Sequence, residues 1–342
     1  MKILKIVTIN LLIFLVLILT TEIIFGSWFK KNNFGFSIRE MRNVKINMSV
    51  EYDGKKYDYI FKRNNYGFIG EDLNPKDIKA VLVGGSTGEE MFKPVQYTIV
   101  EQLNKKLMID GINLRIINAS KAGKSTRGYV YDFKYWFSKI EDFKPEIFIF
   151  YTGINDSSLT LPNSFNQPYK DTLVEKIEDY IKNNSVIYLY KKKIENKYFN
   201  KIRKNYGLEK KDLYLNFDFI DYNLAKEKFF NTDLNSTEKI ILLNFSTNLK
   251  NLKKILIEKK IEPIFITQIQ YNGLNNKNLF LINEYLKEFC KINNFKIIKL
   301  DEMNYNLDNN DFYDEVHTTI KGSKKISNLI YKDLKEHLLN HF

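Results

Sequence analysis

The run KAVLVGGST (79–87) decides the fold: four consecutive apolar residues, then two glycines, then two hydroxyl side chains. That is the pattern of a strand covered on both faces and ending in a tight turn. Two further runs read the same way, LRIINAS (114–120) and EIFIFYTG (146–153). Between them VQYTIVEQLNKKLM (95–108) has helical period, and the aromatic stretch 128–143 is helical as well. The alternation resumes later with a helix at 237–259, strand PIFITQ (263–268), a helix at 278–292, strand FKIIKL (295–300) and a closing helix at 319–339. Strands alternating with helices predict a parallel sheet covered on both sides. The expected fold is α/β, a flavodoxin-like three-layer α/β/α sandwich with a five-stranded parallel sheet. An alternating stretch at 50–61 predicts a hairpin packed on it.

Between the third and fourth strands the pattern breaks into a Lys-, Tyr- and Asn-rich region with helical period at 173–191. It is too long for a simple loop and reads as a helical insertion at 159–235, suited to a lid over the site. The composition is that of a globular chain: of 342 residues, 44% are hydrophobic and 27% charged. Cys290 is the only cysteine, so neither an intrachain disulfide nor a cysteine-based zinc cluster can form. The net charge of +12 suits anionic lipid headgroups or an acidic polysaccharide. Lysines are spread along the whole length, a composition bias rather than a basic patch, so nucleic acid is not expected as a partner.

The amino terminus carries an apolar run, IVTINLLIFLVLILTT (6–21), then Glu22, then IIFG. At about 1.5 Å per helical residue, residues 6–26 reach roughly 30 Å, the thickness of the hydrocarbon core. No small-residue cleavage site follows, so 6–26 is expected to be an uncleaved transmembrane anchor. It is followed by an extension at 27–76 and the main domain at 77–342. Basic residues flank both ends of the span. A short tail before a first span favours an amino terminus inside and a body outside the cytoplasm, periplasmic or at the cell surface. Trp28 and Phe29 would be interfacial aromatics or packed on the body.

In open parallel sheets the reactive groups sit at the carboxyl ends of the strands. The first strand ends Gly84, Gly85, Ser86, Thr87; the second leads to Asn118, Ala119, Ser120 and Gly123; the third ends Gly153, Ile154, Asn155, Asp156. After the last strand, YDEVHTTIKG carries Asp314 and His317. This set resembles the SGNH hydrolase superfamily, the GDSL esterases, whose four blocks carry Ser, Gly, Asn and His in that order. The matching positions are Ser86, Gly123, Asn155 and His317, and the resemblance covers 78–158 and 236–335. In one departure, the family's usual G-D-S reads Gly84, Gly85, Ser86, without the acid before the nucleophile.

The chemistry is self-consistent. A serine hydroxyl attacks only if a base takes its proton, and imidazole is suited to that near neutrality. Of three histidines, His337 and His341 lie in the terminal tail, leaving His317 as the base. Asp314, three residues earlier, can hold the other ring nitrogen. By the resemblance, the oxyanion hole comprises the backbone N–H groups of Ser86 and Gly123 and the side-chain amide of Asn155. No metal and no cofactor is required. The resemblance and the anchor together imply a serine esterase or O-acyltransferase acting on acyl groups, acetyl foremost, of an envelope or exported polysaccharide. A lipid ester or lysophospholipid is the alternative substrate, and a catalytically idle carbohydrate-binding relative is the alternative role. The sequence Gly123, Lys124, Ser125, Thr126 resembles the end of a phosphate-binding loop, but Asn118 occupies the position of that motif's first glycine and no strand ends in the Asp that would hold magnesium, so a nucleotide-binding role is the lesser reading.

Overall fold

The apolar amino-terminal run forms a helix, α1 (Lys2–Phe25), in the computed structural model, which describes residues 2–29, 34, 38, 41–52, 54–158, 173–203, 219–303 and 307–339. The chain divides into two compact units, Met1–Glu40 with Tyr169–Tyr206, and Met41–Pro168 with Gly207–Phe342. The second unit begins with the expected hairpin, longer than the alternation alone showed: β1 (Val44–Tyr52) pairs antiparallel with β2 (Lys55–Arg63) through a turn at Gly54.

Its centre is a sheet of five parallel strands, β3 (Ala80–Gly84), β4 (Ile116–Asn118), β5 (Ile147–Tyr151), β6 (Glu262–Ile266) and β7 (Lys296–Ile298). Their order, β4-β3-β5-β6-β7, is the doubly wound order of the flavodoxin-like sandwich. Every residue of β3 and β5 is buried, because helices cover both faces. The sequence suggested a longer second strand, 114–120; only Ile116–Asn118 pairs. At this sheet edge the Asn104 side chain takes the place of a neighbouring strand, accepting from the Ile116 N–H at 2.8 Å and donating to its carbonyl at 3.0 Å.

Short helices α2 (Ser86–Glu89) and α5 (Ile154–Ser157) leave β3 and β5 directly. The crossovers are α3 (Ile99–Ile109) and α4 (Thr126–Tyr135). Thr98 caps α3 by accepting from the Glu101 N–H, and Ser125 caps α4 by accepting from Arg127. The helix anticipated over 128–143 stops at Tyr135, where Trp136 leaves helical geometry and a 3-10 turn, Phe137–Lys139, follows. In the first unit lie α6 (Leu173–Asn184) and α7 (Val186–Arg203), so the helical stretch 173–191 is two helices parted at Ser185. The rest of the insertion at 159–172 and 204–218 lies outside the described residues. Residues 219–235 carry α8 (Tyr222–Phe229), which packs on Phe280 through Tyr222 and Phe229.

The remaining helices are α9 (Ser236–Lys259), α10 (Lys277–Asn293) and α11 (Ile320–Leu339). A capping box starts α9: Asn235 accepts from the Glu238 N–H while the Glu238 carboxylate accepts from the Asn235 N–H. One face of the sheet is aliphatic, Leu82, Ile149, Ile264 and Ile298 packing with Leu103 and Leu107 of α3 and Ile330 and Leu334 of α11. The other face is aromatic: Phe150 stacks on Phe265 at 5.1 Å, and Phe148 meets Phe133 of α4 at 4.9 Å. Alternation along each strand divides the two sets.

Candidate active site

Gly85 is the point where the loops after β3, β4 and β5 converge. A Cβ built there would lie 2.0 Å from Nδ2 of Asn155 and 3.2 Å from the Lys124 carbonyl. Asn155 is held in place by donating to that same carbonyl at 2.8 Å, and the Lys121 N–H donates to the Gly84 carbonyl at 3.0 Å. Ser86 begins the single turn of α2, which Glu90 ends in the left-handed conformation (φ 50°). Gly123 sits at φ 75°, a backbone geometry that side-chain-bearing residues rarely adopt. Among the described residues neither the Ser86 nor the Gly123 backbone N–H finds an acceptor. Ser86, Gly123 and Asn155 are half-buried while Gly85, Thr87, Lys124, Ile154 and Asp156 beside them are buried, so the three candidates reach solvent from a packed surround.

Asp314 and His317 meet in the turn before α11. One carboxylate oxygen of Asp314 accepts from the backbone N–H groups of Val316 at 2.9 Å and His317 at 2.7 Å; the other lies 2.7 Å from Nδ1 of His317. Because a carboxylate can only accept, the proton is assigned to Nδ1, which leaves Nε2 as the free base. Burial pushes the Asp314 carboxyl up, but the hydrogen bonds from the His317 ring and the two backbone groups outweigh it and hold the group below the usual carboxylate range. Tyr313 stacks flat on the His317 ring, centroids 5.5 Å apart and planes 8° from parallel. Among the described residues the Ser86 hydroxyl and Nε2 of His317 make no hydrogen bond, as is common in unliganded sites.

What ties the serine element to the histidine element is a buried ion pair that sequence reasoning missed. Lys93 is 2% exposed; its ammonium meets the Glu90 carboxylate at 2.8 Å and Oγ1 of Thr318 at 3.0 Å, and also donates to the Thr318 carbonyl and Ser323. Glu90 accepts in turn from Thr318 and Ser323. Thr318 follows His317 directly, and Glu90 lies four residues beyond Ser86. Two further braces flank α2. Arg63, from the end of β2, pairs with Glu89 and donates to the Ser120 carbonyl at 2.7 Å, while Glu89 also accepts from the Ala122 N–H at 2.7 Å. Gln268, at the end of PIFITQ, donates to Oγ1 of Thr87 and accepts from the Ile154 N–H, both at 2.8 Å. Its place just after a buried strand was the available signal; Lys93 offered none.

The remaining candidates are structural. Lys124 is buried, paired with Asp132 and set 4.9 Å over the Trp136 ring, so its charge is spent inside the fold. Thr126 donates through its hydroxyl and N–H to Asp156, whose carboxyl burial raises to about 7. Among the described residues no three His, Cys, Asp or Glu side chains converge as a metal site. The Lys93–Glu90 pair generates a stability prediction: Lys93→Met leaves a buried carboxylate unpaired and costs about 3–5 kcal/mol in chemical denaturation. Adding Glu90→Gln recovers part of that loss, whereas additive losses would show that the two do not act as a pair.

The chain matches the family described as GDSL-like Lipase/Acylhydrolase over residues 64–330. No curated protein sequence matches it. Among solved structures it is similar to a GDSL-like lipase from Bacteroides thetaiotaomicron, with 11% identity over 79% of this chain and 92% of the other and a TM-score of 0.41. A lipolytic protein of the G-D-S-L family from Veillonella parvula gives 13% identity, 75% and 97% coverage and a TM-score of 0.41. A catalytic mutant of an acetylxylan esterase from Geobacillus stearothermophilus gives 12%, 75%, 94% and 0.41. The family match runs from the end of the hairpin into α11 and takes in all five parallel strands and every candidate residue. The chain belongs to the GDSL-like lipase/acylhydrolase family and is a hydrolase of ester bonds.

Proposed function

We propose that Ser86 is the nucleophile of a membrane-anchored O-acyl esterase, with His317 as its base and Asp314 as the residue that orients the base. The observation that carries this reading is the 2.7 Å contact between Asp314 and Nδ1 of His317, in a turn bonded through Thr318 to the element that begins with Ser86. Ser86 Oγ attacks the ester carbonyl carbon as Nε2 of His317 takes the hydroxyl proton. The oxyanion so formed is met by the N–H groups of Ser86 and Gly123, which find no other acceptor among the described residues, and by the second amide hydrogen of Asn155, the first being held by Lys124. The tetrahedral species collapses, the alcohol leaves with the proton from His317, and the acyl group stays on Ser86. Water then attacks the acyl-serine, with His317 again taking and returning the proton, to release the acid. A sugar hydroxyl in place of that water would make the reaction a transfer.

The surroundings of the base support one class of substrate. Tyr313, stacked on His317, and Phe92, edge-on to Tyr313 at 6.4 Å, make the surroundings of the base aromatic and half-buried, a surface suited to a sugar ring. With α1 as an anchor and the hydrolase unit outside the cytoplasm, the accessible esters are acyl groups, acetyl foremost, on an envelope or exported polysaccharide. The exposed apolar surface of α1 favours a second substrate, a membrane lipid ester. Acetate release from an O-acetylated polysaccharide against fatty-acid release from phospholipid vesicles separates the two.

Two outcomes test the site. Ser86→Ala and His317→Ala should each lower ester turnover by about 10⁴-fold or more, and the double variant should fall little further, because the members of such a unit act together; multiplying losses would contradict the assignment. Gly85→Ala should displace the Asn155 amide and lower kcat/KM by about 10² to 10³, the usual effect of losing one oxyanion donor. Gly85→Asp, which restores the family's usual acid, should fall at least as far. A gain on introducing that acid would show that Asn155 does not serve in this way.

A further inference from the structure

Glu22 is the one charged residue between Ile6 and Phe25, in the last turns of α1. Its carboxylate accepts from the Ser185 hydroxyl at 2.6 Å and from the N–H groups of Val186 at 3.0 Å and Ile187 at 3.1 Å, the first two residues of α7. A carboxylate at a helix amino terminus satisfies orphan donors and complements the dipole. Trp28 Nε1 donates to the same group at 3.0 Å, the Ser27 N–H donates to the Asn184 carbonyl at 2.8 Å, and the Trp28 ring meets Tyr180 edge-on at 5.8 Å. The bend between α6 and α7 is therefore clamped to the carboxyl-terminal end of the candidate span.

Both helices leave that clamp with an uncovered apolar row. In α6, Leu173, Val174, Ile177, Tyr180 and Ile181 fall at helical spacing on one stripe, and Leu173 and Val174 are 74% and 76% exposed. Ile187, Tyr190 and Ile194 continue as an exposed row in α7. Over 173–203 the sequence has eight Lys and Arg against four Asp and Glu, with Lys191, Lys192 and Lys193 consecutive. Contiguous apolar surface of this kind marks a lipid or protein contact. Its attachment to the end of α1, the Trp28–Tyr180 aromatic pair at that level and the excess of basic charge all match the headgroup layer of an anionic bilayer.

We infer that α6 and the first turns of α7 lie in the headgroup–acyl boundary of the bilayer that α1 spans, on the side where α1 ends, making the insertion part of the membrane attachment. This rests on α1 being a membrane span. Glu22 is kept in an apolar segment because it caps the helix that turns along the surface, and the run Lys191 to Lys193 brings basic charge to the headgroup layer.

The test uses the full chain with its buried cysteine removed (Cys290→Ala) and single cysteines introduced by Leu15→Cys, Ile177→Cys, Ile181→Cys or Lys254→Cys. Each is labelled with bimane and reconstituted into phosphatidylcholine–phosphatidylglycerol vesicles whose acyl chains are brominated either near the headgroup or near the bilayer centre. The expected result is quenching at 177 and 181 by the shallow bromines, at 15 by the deep ones, and at 254 by neither. Quenching at 15 with 177 and 181 as unaffected as 254 would overturn the surface-lying helix and leave the span standing. Absence of quenching at 15 would overturn the span, and the inference with it.

Discussion

The site depends on a buried ion pair, Glu90 with Lys93, that joins two parts of the chain more than two hundred residues apart. The carboxylate follows the single turn begun by Ser86; the ammonium reaches the residue after His317 and the first turn of α11. Charges as buried as these are tolerated only when every donor and acceptor is used, and here Thr318, Ser323 and the Ile99 N–H complete the set. Since each partner is costly without the other, the loop carrying the proposed base cannot drift from the element carrying the proposed nucleophile. Arg63 with Glu89, and Gln268 with Thr87, brace that element from the hairpin and from β6.

A second constraint is steric. Three strand ends meet at Gly85, and only a residue without a Cβ lets the Asn155 amide reach the Lys124 carbonyl there. The missing acid of the usual G-D-S motif reads in sequence as a loss. In the structure it is the condition for this particular packing of the loops after β3, β4 and β5. Gly123, held at positive φ in the loop after β4, has a backbone N–H that finds no acceptor among the described residues.

The sheet was legible because strands covered on both faces must be largely apolar, so AVLV, the Ile116–Ile117 pair and IFIFY stood out without any partner being known. Ser86, Asn155, Asp314 and His317 stood out because each follows such a run or precedes the closing helix. What sequence could not show is long-range pairing. Lys93 and Arg63 look like ordinary surface cations until Glu90 and Glu89 are seen beside them. The GKST tetrapeptide mimics a phosphate loop, yet its lysine neutralises Asp132 and its threonine serves Asp156. The break at Ser185 was equally hidden, since Glu22, which caps the helix beyond it, lies far away in sequence.

The central claim is that Ser86 carries an activated hydroxyl. The most direct measurement is the intact mass of the detergent-solubilised full chain after reaction with a fluorophosphonate, beside Ser86→Ala of equal thermal stability. A single adduct on the wild type that the variant lacks is the predicted result. An unmodified wild type that remains folded, or an adduct that persists in the variant, would contradict it.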